Sequence, residues 1–165
     1  MRPFVLALAV AASVSSAAPA PHLAKGEPAP DFKVERLVGG ELTLSSLRGR
    51  VVIIDFWATW CPPCRAELPW LLKLAHRYEP RGAVFVAMNQ DDGPQRALAT
   101  QFASELPGID RFITLGGASF VGPYRVDGLP TMYVIDAQGR VFASAEGRLT
   151  EDAVVAVLEQ ALQGR

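Results

Sequence analysis

Seven residues without a break, Val51-Val52-Ile53-Ile54-Asp55-Phe56-Trp57, constrain this chain more than any other feature. The run is continuously apolar except for Asp55 and rich in β-branched residues, the pattern of a strand buried on both faces of a sheet. A pair of cysteines, Cys61 and Cys64, follows within a few residues. After them Ala66, Leu68, Leu71, Leu72, Leu74 and Ala75 recur at helical spacing through Tyr78, and Pro80 with Gly82 stops the helix. A central strand, a turn holding both thiols and an amphipathic helix are therefore expected in that order.

The rest of the chain extends this α/β alternation. Phe32 to Leu37 and Glu41 to Leu44 flank Gly39-Gly40 and read as an N-terminal β-hairpin, followed by a brief turn over Ser45 to Gly49. Ala83 to Met88 is a second buried strand. Asp92 and Pro94 cap and start a helix towards Glu105, ahead of Pro107-Gly108. Arg111 to Leu115 is a short strand. Thr131 to Ile135 and Arg140 to Ala145 form a hairpin, and a terminal helix runs from its cap Thr150 to Leu162, with Glu151 and Asp152 in its first turn. Half of the 165 residues are hydrophobic, enough for one domain with a real core. The net charge is −1 with no basic stripe, which excludes a nucleic-acid footprint.

Residues 1–17 read as a secretory signal peptide: Arg2, an apolar run of about 11 residues from Phe4 to Val14, then small residues with a preferred cut after Ala17. The apolar run falls short of the roughly 20 residues that span a bilayer, so cleavage is favoured over an uncleaved N-terminal anchor. Residues 18–30 form a Pro/Ala-rich extended leader, and 31–165 the domain itself. Export places the chain in a periplasmic or other extracytoplasmic space where disulfides persist.

Cys61 and Cys64 are the chain's two cysteines. A bridge over two intervening residues restrains the unfolded chain little, so a structural staple explains them poorly. Two thiols supply half of a zinc site, and His22 and His76 lack finger spacing, so no metal is expected. Redox exchange remains, and it needs no cofactor. At the start of a helix Cys61 lies near orphan N–H groups that favour its thiolate, which makes it the expected nucleophile and Cys64 the resolving thiol. Pro62 and Pro63 suit a first turn, where their missing N–H groups have no intrahelical role.

Two acids accompany the thiols. Asp55 interrupts the apolar strand, so its carboxyl should titrate high and could take a proton from Cys64; the alternative is a strand-end acid that reaches water. Glu67, three residues after Cys64, could share that task or simply be an acid favoured near a helix start. Trp57 is expected in the core. Trp60, Pro62 and Pro63 make an apolar surface for docking extended polypeptide. Pro130 opens a strand, which suggests a cis Leu129-Pro130 bond. His76 and Trp70 read as helix packing or surface.

The segment Asp55-Phe56-Trp57-Ala58-Thr59-Trp60-Cys61-Pro62-Pro63-Cys64-Arg65-Ala66-Glu67-Leu68-Pro69 closely resembles the active-site segment of the thioredoxin superfamily, in its TlpA/ResA-like extracytoplasmic branch. Gly128-Leu129-Pro130-Thr131 resembles that family's cis-proline loop, and the likeness extends over about Ala24 to Leu162, including the hairpin. It implies a thioredoxin fold with a central mixed sheet, flanking helices and an N-terminal hairpin extension. It also implies that Pro130, with Leu129 beside it, faces the disulfide to receive a peptide and exclude metal. One departure stands out: the branch commonly has Asn where Asp55 stands and relies on a glutamate at Glu67, whereas this chain carries both acids.

The resemblance further implies a reductase of exported protein thiols, such as the haem-attachment cysteines of apocytochrome c, fed by a membrane thiol carrier; a monomer is expected. Oxidation or isomerisation of exported proteins uses the same residues and stays open, because such pairs span roughly −270 to −120 mV. The peroxidase branch of the superfold needs Pro-x-x-x-Thr-x-x-Cys. Counting back from Cys61 meets Ala58 and Ile54, and from Cys64 meets Cys61 and Trp57. A binding module that holds unfolded chains through Trp60 is the remaining class, and unlike the redox readings it would survive Cys61→Ser.

Overall fold

The computed structural model describes residues 22–164; the signal-peptide reading and the first part of the leader fall on residues 1–21, outside the described residues. The elements are β1 (Lys33–Arg36), β2 (Glu41–Thr43), β3 (Val51–Trp57), α1 (Pro62–Tyr78), β4 (Ala83–Asn89), α2 (Gln95–Glu105), β5 (Ile113–Leu115), β6 (Thr131–Ile135), β7 (Val141–Glu146) and α3 (Glu151–Gln163). They form a seven-stranded mixed sheet in the order β2-β1-β5-β4-β3-β6-β7. β3 lies between β4, parallel, and β6, antiparallel, and all seven of its residues are buried. The parallel pair follows from the α1 crossover, whereas a tight turn joins antiparallel β6 and β7.

Alternation along β3 divides the core in two. Val51, Ile53 and Trp57 pack with Leu68 and Leu71 of α1, Phe102 of α2 and Leu158 of α3. Val52, Ile54 and Phe56 turn the other way, onto Phe32, Leu44, Tyr124 and Tyr133. The odd-numbered side of β3 therefore faces the helices, and Asp55 is on it. The Trp57 and Phe102 rings lie 4.8 Å apart, which holds α2 over the end of β3 next to the cysteines.

The N-terminal hairpin pairs Lys33 with Thr43 and Glu35 with Glu41 around Gly39 and Gly40, both at positive φ, as the tight turn requires. Residues 22–30, extended as a leader should be, lie against the domain. Leu23 and Ala29 are buried, the Gly26 N–H donates to Val141 O at 2.7 Å, and the Val141 N–H donates to Glu27 O at 2.9 Å. β7 is an edge strand with free backbone groups, and this segment satisfies some of them.

The start of α2 differs from expectation. Its cap position is Pro94, no side chain caps it, and Asp92 is exposed, because Gly93 at φ 74° turns the chain between that acid and the helix. A short 3-10 turn, Gly117–Phe120, then presses its first residue on the end of β4. A Cβ at Gly117 would collide with the Asn89 carbonyl and lie 2.8 Å from Met88 Cγ. Gly117→Ala is therefore expected to destabilise the fold by about 1–3 kcal/mol, read as a lower urea midpoint at unchanged slope.

Candidate active site

β3 ends at Trp57 and α1 begins at Pro62, so the turn between them places Cys61 at the helix cap, with extended backbone (φ −95°, ψ 100°). Its Sγ accepts a hydrogen bond from the Cys64 N–H at 3.3 Å, and the two cysteines form a disulfide with Cα atoms 5.4 Å apart. Pro62 and Pro63 occupy the first two helical positions. Cys61 keeps 4% of its surface and Cys64 none, so Cys61 is the half of the disulfide that reaches solvent. Trp60 stands 67% exposed, Pro62 is exposed and Pro63 half-buried.

The Leu129–Pro130 bond is cis, with Pro130 buried and Leu129 half-buried. Phe56 pairs with Thr131 in the β3–β6 register, so the loop before β6 and the turn after β3 leave the same end of the sheet. The loop is held by the Thr131 hydroxyl donating to Gly128 O at 2.7 Å and the Gly147 N–H donating to Pro130 O at 2.8 Å. His76, by contrast, stacks edge-on against Phe112, and Trp70 packs on the core, as helix packing predicts.

Two buried acids sit on the elements that flank the cysteines, Asp55 on β3 and Glu67 on α1. Asp55 is fully buried and neither of its oxygens has a hydrogen-bond partner among the described residues. Burial, with the negative charge of Glu67 adding to it, pushes its carboxyl up to about 8. The alternative of a strand-end acid in water therefore fails. Glu67 is 3% exposed and lies beyond the first turn of α1, so helix-dipole preference does not account for it. Its Oε1 accepts the Leu149 N–H at 2.9 Å, while Oε2 has no partner among the described residues. Burial holds it above the ordinary glutamate range, against the opposing pull of the Leu149 N–H and the Arg148 charge.

Buried polar side-chain atoms without a partner belong, among the described residues, to Asp55, Trp57, Glu67 and Gln90. These four come from the ends of β3 and β4 and the facing helix. Each such atom left without a protein partner carries a penalty of about 1–3 kcal/mol.

A further acid escaped the sequence reading. Asp91, 1% exposed, accepts from the Thr59 N–H at 3.0 Å, the Thr59 hydroxyl at 2.8 Å and the Asn89 side-chain amide at 2.7 Å. The available signal was its place just past a buried strand, where sheet topology gathers loops; its neighbour Asp92 drew the capping role instead.

A family model described as Redoxin matches residues 24–162. The chain is 32% identical over 138 residues to thiol-disulfide oxidoreductase ResA of Bacillus thuringiensis (strain Al Hakam), covering 82% of this chain and 77% of that one. With ResA of Geobacillus kaustophilus (strain HTA426) it shares 36% identity over 141 residues, 83% of this chain and 78% of that one. Among solved structures it is similar to a protein of Chlorobium tepidum described as a DsbE-type thiol:disulfide interchange protein. That likeness has a TM-score of 0.77 at 33% identity, covering 85% of this chain and 99% of the other. With the mixed sheet, the disulfide at the helix start and the cis proline already in place, the chain belongs to the Redoxin family, as a TlpA/ResA-like thiol–disulfide oxidoreductase of the thioredoxin superfamily.

Proposed function

We propose that this oxidoreductase works as a reductase of exported protein thiols, with Cys61 the attacking and Cys64 the resolving sulfur. The observation that carries the direction is the scarcity of donors at Cys61. Among the described residues one backbone N–H, that of Cys64, reaches its Sγ, since Pro62 and Pro63 at the first two helical positions have none to offer. A thiolate that is poorly stabilised makes a weak oxidant and a good reductant.

In the forward cycle the Cys61 thiolate attacks one sulfur of a partner disulfide, the partner's other sulfur leaves as a thiolate, and a mixed disulfide forms. Cys64 then gives its proton to a carboxylate, Asp55 or Glu67, and attacks Cys61 Sγ. The partner departs with both sulfurs reduced, and the Cys61–Cys64 disulfide remains. At neutral pH a carboxyl near 8 is mostly protonated and accepts through its ionised fraction, so resolution through Asp55 should quicken as pH rises towards 8. Trp60, Pro62, Pro63, Leu129 and Pro130 supply the surface on which an extended polypeptide docks. Oxidised apocytochrome c suits this role as the resemblance implies, with an extracytoplasmic location and a membrane thiol carrier returning electrons. Among the described residues no helix is long and apolar enough to cross a membrane.

The test is the equilibrium reduction potential of the domain from Ala18 onward, titrated in glutathione buffers and read by thiol labelling of Cys61 and Cys64. A value towards about −270 mV is expected. A value near about −120 mV would make the protein a disulfide donor instead.

A further inference from the structure

We infer that Asp91 is a positioning residue for the attacking sulfur, acting through Thr59. Asp91 follows β4 by two residues, and Thr59 precedes Cys61 by two. Between them the Asp91 carboxylate ties the loops after β3 and β4 together: Oδ1 takes both the N–H and the hydroxyl of Thr59, and Oδ2 takes the Asn89 amide. The Asp91 N–H donates back to Asn89 Oδ1 at 3.2 Å, and the Gln90 N–H donates to Trp57 O at 2.8 Å. The Cys61 N–H closes on Ala58 O at 3.1 Å, so the turn that presents Cys61 is the turn whose second residue Asp91 holds.

The chemistry of the partners selects a carboxylate. Thr59 turns its N–H and its hydroxyl on one oxygen, and Asn89 offers an amide N–H to the other. An asparagine at position 91 would aim one of its own donors into that group. A buried charge is tolerable here because it collects several hydrogen bonds. Its effect is to fix the distance between Cys61 Sγ and the Cys64 N–H, and misplacing a reacting group by about 1 Å can cost as much as 10²-fold in rate. The inference rests on Cys61 as the attacking thiol and holds for either direction of net electron flow.

The full chain is assayed with a disulfide-bonded polypeptide, and the titration of Cys61 is read by alkylation rate in a Cys64→Ser background. Asp91→Ala is expected to lower kcat/KM about tenfold, mainly through kcat, and to move the alkylation midpoint upward as the sulfur loses its donor. Thr59→Val, which keeps the backbone bond, should show part of both effects, Thr59→Ser should restore them, and the double variant should be no worse than Asp91→Ala alone. A folded Asp91→Ala protein with unchanged kcat/KM and midpoint overturns the inference. So does a loss that merely tracks the unfolded fraction with temperature, or a Thr59→Ser variant as impaired as Thr59→Val. Where Asp91→Ala does not fold, the two Thr59 variants decide. Exchange that survives Cys61→Ser would sink the underlying reading, whereas a dead Cys61→Ser beside an unimpaired Asp91→Ala sinks the positioning role alone.

Discussion

Cys61→Ser is expected to abolish disulfide exchange completely, while Cys64→Ser arrests it after one encounter as a trapped mixed disulfide. The asymmetry follows from the helix start: Cys61 keeps some surface and Cys64 none, so the outer sulfur meets the partner and the inner one can reach only Cys61. In the serine variant of Cys64 the resolving sulfur is gone, and the adduct is lost only through return of the partner's own freed thiolate, so it accumulates. Incubation with a disulfide-bonded polypeptide, followed by mass measurement under non-reducing conditions, separates the two. The expected pattern is an adduct one partner heavier for Cys64→Ser and none for Cys61→Ser. Adducts forming equally through Cys64 would reverse the roles. Binding that persists in Cys61→Ser with no exchange lost would favour a module that only holds unfolded chains.

Asp55→Asn should make the folded protein more stable and more so as pH rises, at the expense of turnover. The Asp55 carboxyl sits at about 8 when folded, against 3.8 for the ordinary group. Between those values the folded state binds a proton that the unfolded state has released, so stability falls with increasing pH and is lost as pH passes the folded value. The slope is at most about 1.4 kcal/mol per pH unit. Asparagine cannot ionise, so its stability advantage over the parent should grow by roughly 3 kcal/mol between pH 5 and pH 8, measured by denaturant unfolding of the oxidised proteins. A gap that stays constant with pH would mean that Asp55 is not the group being titrated. In the same variant, resolution of the mixed disulfide should slow by about 10²-fold if Asp55 is the proton acceptor. If Glu67→Gln slows it instead, the relay belongs to the helix and Asp55 serves only to set its charge.

Much of the redox centre could be read one residue at a time, since each part obeys a local rule. Val51 to Trp57 is a buried strand because nothing in it wants water except Asp55, and the prolines after Cys61 permit a helix to start but not to have started earlier. The hairpin at Gly39-Gly40 and the Thr150 cap, whose hydroxyl accepts the Ala153 N–H at 3.3 Å, are likewise local. Asp92 was the failure of this kind of reading: an acid before Pro94 looks like a cap until Gly93 turns the chain away.

Other properties depend on contacts across long separations. Glu67 is indistinguishable in sequence from an acid near a helix start; it is the Leu149 N–H, 82 positions on, and burial beside Asp55 that make it a second carboxyl of the site. Asp91 gains its partner Thr59 only because β3 and β4 run parallel and end together. Residues 22–30 read as a leader because their prolines and alanines have no periodicity, yet they lie along β7, whose edge only the sheet order reveals. The sequence by itself determined the elements and the identity of the two sulfurs, because propensity, capping and apolar periodicity act within a few residues. The tertiary structure alone decided that Asp55 and Glu67 are buried and coupled and that Asp91 holds the turn before Cys61, because desolvation and hydrogen-bond satisfaction depend on groups that only the closed sheet brings together.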